Sequence, residues 1–349
     1  MSDPADRANA THQPWDAKID WYRSKIDKDE LRKLTERSDV AGFLQMGTHL
    51  LLVVGTGALA YYAWYHFPWP LTVLAFLTYG TVYSFLGVGC AGHELSHGTV
   101  FKTRFWNEFF IHLTGFLTRG NFHHFRASHA KHHQLTVHTD RDLEVVLPQR
   151  IRRRDWFTIC TFGFTAPLVI FGTLIRHSAG RLEGEWEHRI FPDSAPRKRQ
   201  QMINWARIVL AGHVIMAALF IGFGLWPLLL LITFPHYGGL LVTLCGSTQH
   251  MGLPSNEPDF RLSCRTVILN PVFRFLYWHM NYHVEHHMYA GVPFYKLGRL
   301  RRLIESDLPA ADNGLIVAWR HIFEIFRKQE QDPSYAYHAT LPQSSQPEG

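Results

Sequence analysis

Three short clusters of histidine carry the residues of this sequence that are best suited to chemistry. They are His93-Glu-Leu-Ser-His97, His129-Ala-Lys-His132-His133 and His283-Val-Glu-His286-His287. Spacings of three and four residues place the imidazoles of one cluster on a single face of a helix, about one turn apart. Neutral imidazole is a ligand for iron, zinc, copper and nickel. The sequence therefore predicts a metal site built from these clusters.

The number of predicted ligands indicates how many metal ions the site holds. His250 lies near the end of a long uncharged stretch, as His93 does. Such stretches are long enough to cross a membrane, so we expect both histidines to emerge from it at the same depth. The full set is His93, His97, His129, His132, His133, His250, His283, His286 and His287. Nine imidazoles are too many for one four-coordinate zinc ion and suit a pair of metals. We expect two iron ions with O2 as co-substrate, because zinc has no redox chemistry for attack on an unactivated C–H bond.

Other polar residues near the clusters are expected to support the ligands or the substrate. Five of them are placed to orient imidazole rings: Glu94, Asp140, Asp142, Asn281 and Glu285. Arg261 and Arg265 precede the third cluster and are expected to contact a substrate headgroup. His49, His213 and His236 lie within apolar stretches, where each could bond a neighbouring helix, and they are left out of the site.

The helices that position these histidines are predicted from where charged residues are missing. No charged residue occurs in the 54 positions 40–93 or in the 49 positions 208–256. One crossing of about 30 Å of hydrocarbon needs about 20 apolar residues, so each stretch fits a helical hairpin. Proline and tryptophan mark the turns, at 66–70 and 224–227. We expect four transmembrane helices, near 43–65, 71–93, 206–224 and 228–249.

The basic residues indicate orientation rather than nucleic acid binding. The chain has 35 Lys and Arg against 29 Asp and Glu, a net charge of +6, and the basic residues cluster in the segments outside the two hairpins. Such segments stay cytoplasmic. We expect an all-α, multi-pass integral membrane protein whose cytoplasmic helical cap holds the metal site and whose termini are both cytoplasmic.

Domain boundaries follow from the same pattern. We expect a cytoplasmic N-terminal segment (1–39), a membrane domain (40–300) and a cytoplasmic C-terminal segment (301–349) with a disordered polar tail at 341–349. The uncharged stretch 156–175 is predicted to be interfacial or re-entrant, because a crossing there would place the second and third clusters on opposite faces.

The clusters resemble the three histidine boxes of the membrane fatty-acid desaturase and hydroxylase superfamily over about residues 92–297. The run from Asn281 to Met288, followed by Val292-Pro293, is especially similar to the third box. The resemblance implies a four-span fold, a di-iron centre bound by the nine histidines, and O2-dependent desaturation of a fatty-acyl or related lipid chain. No His-Pro-Gly-Gly haem motif occurs, so the two electrons are expected from an external donor such as ferredoxin, rubredoxin or cytochrome b5.

Other functions stay open at this point. A hydroxylase or ketolase acting on a lipid or alkyl substrate would use the same ligands. His-Glu-Leu-Ser-His also fits the HExxH motif of zinc proteases, some of which lie in membranes. That reading leaves the second and third clusters unexplained. A histidine-rich metal transporter or a haem-binding membrane protein would want polar groups along a path through the spans, where only His49, His213 and His236 are found.

Overall fold

The computed structural model describes residues 14–145 and 167–342 of the chain. In the first part the helices are α1 (Lys28–Thr35), α2 (Asp39–His66), α3 (Trp69–Ser84), α4 (Ala91–His97), α5 (Arg104–Thr118) and α6 (Phe122–Leu135). In the second part they are α7, described over 167–178, α8 (Gly184–Ile190), α9 (Pro196–Gly222), α10 (Trp226–Leu228), α11 (Leu240–Ser247), α12 (Phe260–Ser263), α13 (Pro271–Leu276), α14 (His283–Met288), α15 (Phe294–Ile304) and α16 (Leu315–Gln331).

Very little of the described chain is strand. Two-residue strands β1 (Val267–Ile268) and β2 (Asp312–Asn313) pair in parallel, and the remaining regular structure is a π-helical turn (Leu229–Thr233) and two 3-10 turns (Pro235–Gly238 and Glu305–Asp307). The prediction of a mostly helical protein is therefore confirmed. Residues 156–166 of the predicted interfacial stretch and 343–349 of the predicted tail lie outside the described residues, and 167–175 are helical.

Helices α2 and α3 form the first predicted hairpin. The Ser38 hydroxyl caps α2 by accepting from the Ala41 N–H, and the helix ends before Pro68, at the predicted turn. The two helices pack closely where α2 has small residues, because a Cβ at Gly57 would lie 3.0 Å from the Tyr79 ring. Tyr79 Oη then donates to the Leu231 carbonyl at 2.6 Å, which ties this hairpin to the second.

The prediction that the second span, 71–93, is one continuous helix is wrong. α3 has 16 residues and stops at Ser84, which at 1.5 Å per residue gives about 24 Å, short of the roughly 30 Å hydrocarbon thickness. A turn over 85–90 follows, and α4 starts anew at Ala91. Gly92 permits this turn, since a Cβ there would lie 3.1 Å from the Gly87 carbonyl oxygen. His93 is thus held by a separate short helix.

The fourth predicted span, 228–249, is also wrong as a continuous helix. α9 is continuous over 27 residues, but the chain after Gly224 is broken into α10, a π-helical turn, a 3-10 turn and α11. Pro235 lacks an amide hydrogen, which interrupts the helical ladder. Gly238 then lies against α3 so closely that a Cβ would be 2.0 Å from the Gly80 carbonyl carbon.

Helices α2, α3 and α9 turn bulky apolar side chains outward. Leu51 is 73% exposed, Trp69 77% and Ile215 59%. Soluble monomers rarely expose contiguous apolar patches larger than a few hundred Å². Among the described helices, α2 and α9 are long and apolar enough to cross a membrane, and α3 adds to the same apolar surface.

The predicted boundaries at residues 39 and 300 do not separate structural units. Trp21, before α1, stacks on Phe260 with ring centroids 4.1 Å apart, and Tyr22 Oη donates to the Asp307 carboxylate at 2.9 Å. α15 runs across residue 300. α16 packs on the rest of the protein through Trp319, whose side chain shares a buried apolar cluster with Met251. The described parts of both terminal segments, 14–39 and 301–342, therefore pack against the part of the protein that holds the histidines.

Candidate metal centre

Three short helices and one turn bring all nine predicted ligands close together. α4, α6 and α14 each present one cluster on a single face, and the turn after α11 adds His250. Ring nitrogens of the first group, His93, His97, His129, His133 and His286, all lie within 4.8 Å of one another. The same holds for His250, His283, His287 and the thiol of Cys264. His132 lies beside this second group, with its ring centroid 4.9 Å from that of His287.

Nitrogens within each group are spaced as adjacent ligands of one metal would be. His250 Nε2 lies 2.9 Å from His283 Nε2, and the next pair in that group is 3.1 Å apart. In the first group, His133 Nε2 lies 3.0 Å from His129 Nε2 and 3.2 Å from His286 Nε2. Two nitrogens bound at about 2.1 Å and at right angles are separated by about 3.0 Å. The arrangement therefore fits two metal ions.

Three imidazoles, two from the second cluster and one from the first, have their ring orientation fixed by a carboxyl group at Nδ1. Asp142 Oδ2 lies 2.7 Å from His132 Nδ1, and Glu144 Oε1 lies 2.7 Å from His129 Nδ1. Glu94 Oε1 lies 3.2 Å from His93 Nδ1. A carboxylate that accepts from Nδ1–H sets the tautomer and leaves Nε2 free to bind a metal.

Neutral groups hold two further rings in the same way. The Ser263 carbonyl lies 2.9 Å from His250 Nδ1, and the Thr136 hydroxyl lies 3.2 Å from His287 Nδ1. His93 Nε2, by contrast, is buried with no hydrogen-bond partner among the described residues. A buried unpaired nitrogen is costly, and a metal ion would satisfy it.

Burial sets the protonation of the site. It lowers the pKa of eight of the nine imidazoles, to about 4 for His97 and about 3 for His250. For His132, burial also acts downward, but the Asp142 carboxylate raises the pKa above its ordinary value. Burial raises the pKa of Glu94 to about 8. The eight imidazoles with lowered pKa values are thus neutral at pH 7 without metal, as ligands must be.

Other residues expected to orient the ligands have different roles in the structure. Glu285 accepts from the Thr266 hydroxyl at 2.5 Å and from Arg301 Nη1 at 2.7 Å. Asn281 donates to the Val267 carbonyl at 2.9 Å and so braces β1. The exposed Asp140 has no hydrogen bond to a histidine of the described chain; its carbonyl accepts from Arg189.

Arg261 and Arg265, predicted to contact a headgroup, are both bonded within the protein. Arg261 is 2% exposed and forms ion pairs with Asp259 and Asp307, both at 2.7 Å. Arg265 Nη1 donates to the carbonyls of Thr248 and Met251, at 2.7 Å and 2.9 Å. Both side chains also line a cavity of about 170 Å³, and the headgroup contact stays a prediction.

Two histidines outside the nine, His49 and His213, make structural contacts. His49 Nε2 lies 3.0 Å from the Val82 carbonyl and its Nδ1 accepts from Trp278 Nε1 at 3.0 Å. His213 Nε2 lies 2.8 Å from the Phe116 carbonyl. These bonds join neighbouring helices, so His49 and His213 offer no support for a transport path.

Two features of this region were absent from the sequence-based prediction. Glu144 was missed because it is 15 residues from His129, beyond the reach of a helical spacing rule. His177 Nε2 also lies 3.0 Å from Glu187 Oε1, with His124 stacked on the His177 ring. Asn121 Nδ2 faces His177 Nδ1 at 3.5 Å, which favours the tautomer with the hydrogen on Nε2. The hydrogen bonds from Asn121 to His177 and from His177 to Glu187 therefore join the start of α6 to α7 and α8.

Comparison with known proteins agrees with this geometry. A family model described as fatty acid desaturase matches residues 67–319, well over half of the chain. The chain is 27% identical over 308 residues to an "sn-1 acyl-lipid omega-3 desaturase (ferredoxin)" of Synechocystis sp., with 82% of this chain and 80% of the relative covered. The chain therefore belongs to the fatty acid desaturase family and is a membrane-associated oxidoreductase.

Proposed function

We propose that the protein introduces a double bond into a fatty-acyl or related lipid chain, using O2 and two iron ions bound by the nine histidines. One observation carries the proposal: three short helices and His250 gather eight imidazoles into two groups, with the ninth, His132, beside the second group. Two pairs of Nε2 atoms in each group lie 2.9–3.2 Å apart. A zinc protease needs three protein ligands, which would leave most of this arrangement without a role.

The residues present fit iron. Imidazole suits redox-active iron, and the buried Nε2 atoms of His93 and His97 have no hydrogen-bond partner among the described residues. The iron pair, when bound, supplies the activation of O2 that attack on an unactivated C–H bond requires. Asp142 and Glu144 keep hydrogen on Nδ1 of their imidazoles, which directs Nε2 inward.

The overall reaction defines the partners. Two hydrogens leave adjacent carbons of the chain, and O2 is reduced to two water molecules by these hydrogens together with two electrons and two protons. An external electron donor is therefore required. The Synechocystis relative is named for ferredoxin, which makes ferredoxin the first donor to test, ahead of rubredoxin and cytochrome b5.

We propose a multi-pass topology in which α2, α3, α9 and the broken segment from α10 to α11 lie in the membrane. The metal centre and both termini then face the cytoplasm, since the basic segments flank these helices. The break in the fourth segment is compatible with this position because it is packed inside the protein, against Gly80.

Hydroxylation or ketolation would use the same metal centre, and lipid profiling separates these outcomes. The full chain is expressed in a bacterial host together with ferredoxin and its reductase, and total fatty acids are analysed by mass spectrometry. We expect a product lighter by two hydrogens, absent with the His286→Ala or His132→Ala variant. A product heavier by one oxygen would replace the desaturase assignment with a hydroxylase, and one that gains an oxygen and loses two hydrogens would replace it with a ketolase. An unchanged profile with iron-loaded protein would contradict all three for the host's lipids.

A further inference from the structure

A cavity of about 400 Å³ lies outside the metal centre. It is lined by the end of α3, the turn 87–89, the junction of α5 and α6, and the broken segment around Pro235. The turn 87–89 leads directly into α4, so the cavity lies next to the support of the first histidine cluster. Its basic side chains, among the described residues, are Arg119 and His236.

Arg119 is buried but only partly satisfied. It is 2% exposed. Its Nη1 donates to the carbonyls of Ile232 and Thr233, at 2.8 Å and 3.2 Å, which the break in the helix leaves free. Nε and Nη2 are buried with no hydrogen-bond partner in the described chain, and no described carboxylate forms an ion pair with the guanidinium. Bonding the broken helix therefore uses Nη1. The neutral Tyr83 hydroxyl also lies against the guanidinium, but no carboxylate among the described residues offsets the charge of Arg119.

These two donors form the side of a guanidinium that binds carboxylates. Nε and Nη2 point in parallel and match the two oxygens of a carboxylate. Arg261 of this chain shows the pairing: Nε lies 3.1 Å from both oxygens of Asp259, and Nη2 lies 2.7 Å from Oδ2. Both arginines are 2% exposed. Arg261 has its carboxylate within the protein, and Arg119 faces a cavity.

The backbone at Arg119 also costs free energy. The residue ends α5 in the left-handed region, with φ 59° and ψ 25°, a conformation where glycine is the common choice. A large charged side chain is thus held in a strained and buried position. Its charge requires a compensating anion when it is taken out of water.

We propose that this cavity binds the carboxylate of a lipid chain, with Arg119 Nε and Nη2 as a two-point anchor. His236 contributes a further donor, since its Nε2 is buried and unpartnered among the described residues. The inference rests on the proposed function and adds the substrate class, a chain with a free carboxylate. Anchoring one end of the chain fixes which carbons reach the metal centre.

Binding to the full chain in nanodiscs tests this directly. Displacement of a fluorescent fatty acid is measured with palmitate, hexadecanol and hexadecyl phosphate, which share one chain length and differ in the head. We expect palmitate to bind at least about tenfold more tightly than hexadecanol, because a charge-assisted two-point bond is lost with the alcohol. Equal affinities for the two would overturn the proposal. Equal or tighter binding of hexadecyl phosphate would assign the site to a phosphate headgroup instead.

Variants locate the site. Arg119→Gln should lose the preference for palmitate over hexadecanol, and Arg119→Lys should lose most of it, because lysine has no planar two-point face. The matched control is Arg104→Gln on the same helix, whose side chain is exposed; it should behave as wild type. A palmitate preference that survives in Arg119→Gln would refute the assignment. The head-group comparison on the wild-type chain stands even if a variant does not fold, and because it measures binding, it is independent of turnover.

Discussion

Replacing Asp142 by asparagine should weaken the binding of one of the two iron ions. Asp142 is buried, and its Oδ2 lies 2.7 Å from His132 Nδ1 and 2.8 Å from the Val137 N–H. Burial acts to raise the pKa of this carboxyl, but His132 and the main-chain donors bring it below its ordinary value, so it is ionised at neutral pH. Asparagine keeps one acceptor oxygen but carries no negative charge, so it accepts more weakly from His132 Nδ1 and from the Val137 N–H.

The size of the effect follows from this contact. Loss of a carboxylate behind a metal-binding histidine costs about 10- to 100-fold in metal affinity, or about 1.4 to 2.8 kcal/mol. The loss should fall mainly on one ion, because the His132 ring lies nearest to that of His287 in the second group, at 4.9 Å, against 5.4 Å for His129 in the first group.

Iron titration of the purified, metal-free chain measures this effect. We expect two binding steps for the wild type, with one step weakened in Asp142→Asn and the other unchanged. The control is Asp140→Asn, the same change two residues away on an exposed side chain that has no hydrogen bond to a described histidine. Wild-type affinity for both ions in Asp142→Asn, or an equal loss in Asp140→Asn, would refute the reasoning.

Three further outcomes follow from the structure. Glu187→Gln should lower the free energy of unfolding by about 1–3 kcal/mol, since it leaves buried donors unpaired, whereas Glu185→Gln, at a side chain that is 66% exposed, should change it by less than about 0.5 kcal/mol in denaturant titrations. The metal-free chain should lose thermal stability as pH falls below about 6.5, because the cluster histidines have lowered pKa values and the unfolded chain binds more protons there; a melting temperature that stays constant from pH 7 to 5 would contradict this. Gly238→Ala should prevent folding or strongly reduce yield, because its Cβ would lie 2.0 Å from Gly80, while Gly222→Ala, with open space around the new methyl group, should be tolerated.

The sequence identified the histidines that the structure brings together because their spacing is local. Positions i, i+3 and i+4 share a helix face whatever the fold, so each cluster was found without knowledge of the others. His250 has no such partner, and its place beside His283 depends on the turn after α11. The division into two groups, the pairing of Asp142 with His132 and the contact of Glu144 with His129 are tertiary and needed the structure.

Helix continuity was predicted less well, for a physical reason. Absence of charge indicates an apolar environment but does not report whether the ladder of backbone hydrogen bonds is unbroken. Gly87, Gly89 and Pro235 were signals of the two breaks. The sequence does not show which residue bonds the carbonyls that a break leaves unpaired. In the structure Arg119 donates to those of Ile232 and Thr233.

The metal content of the purified chain tests the central claim most directly. We expect about two iron ions per chain, both lost when the histidines of the two groups are replaced. One zinc ion per chain with no iron would contradict it and favour a hydrolytic site at His93 and His97.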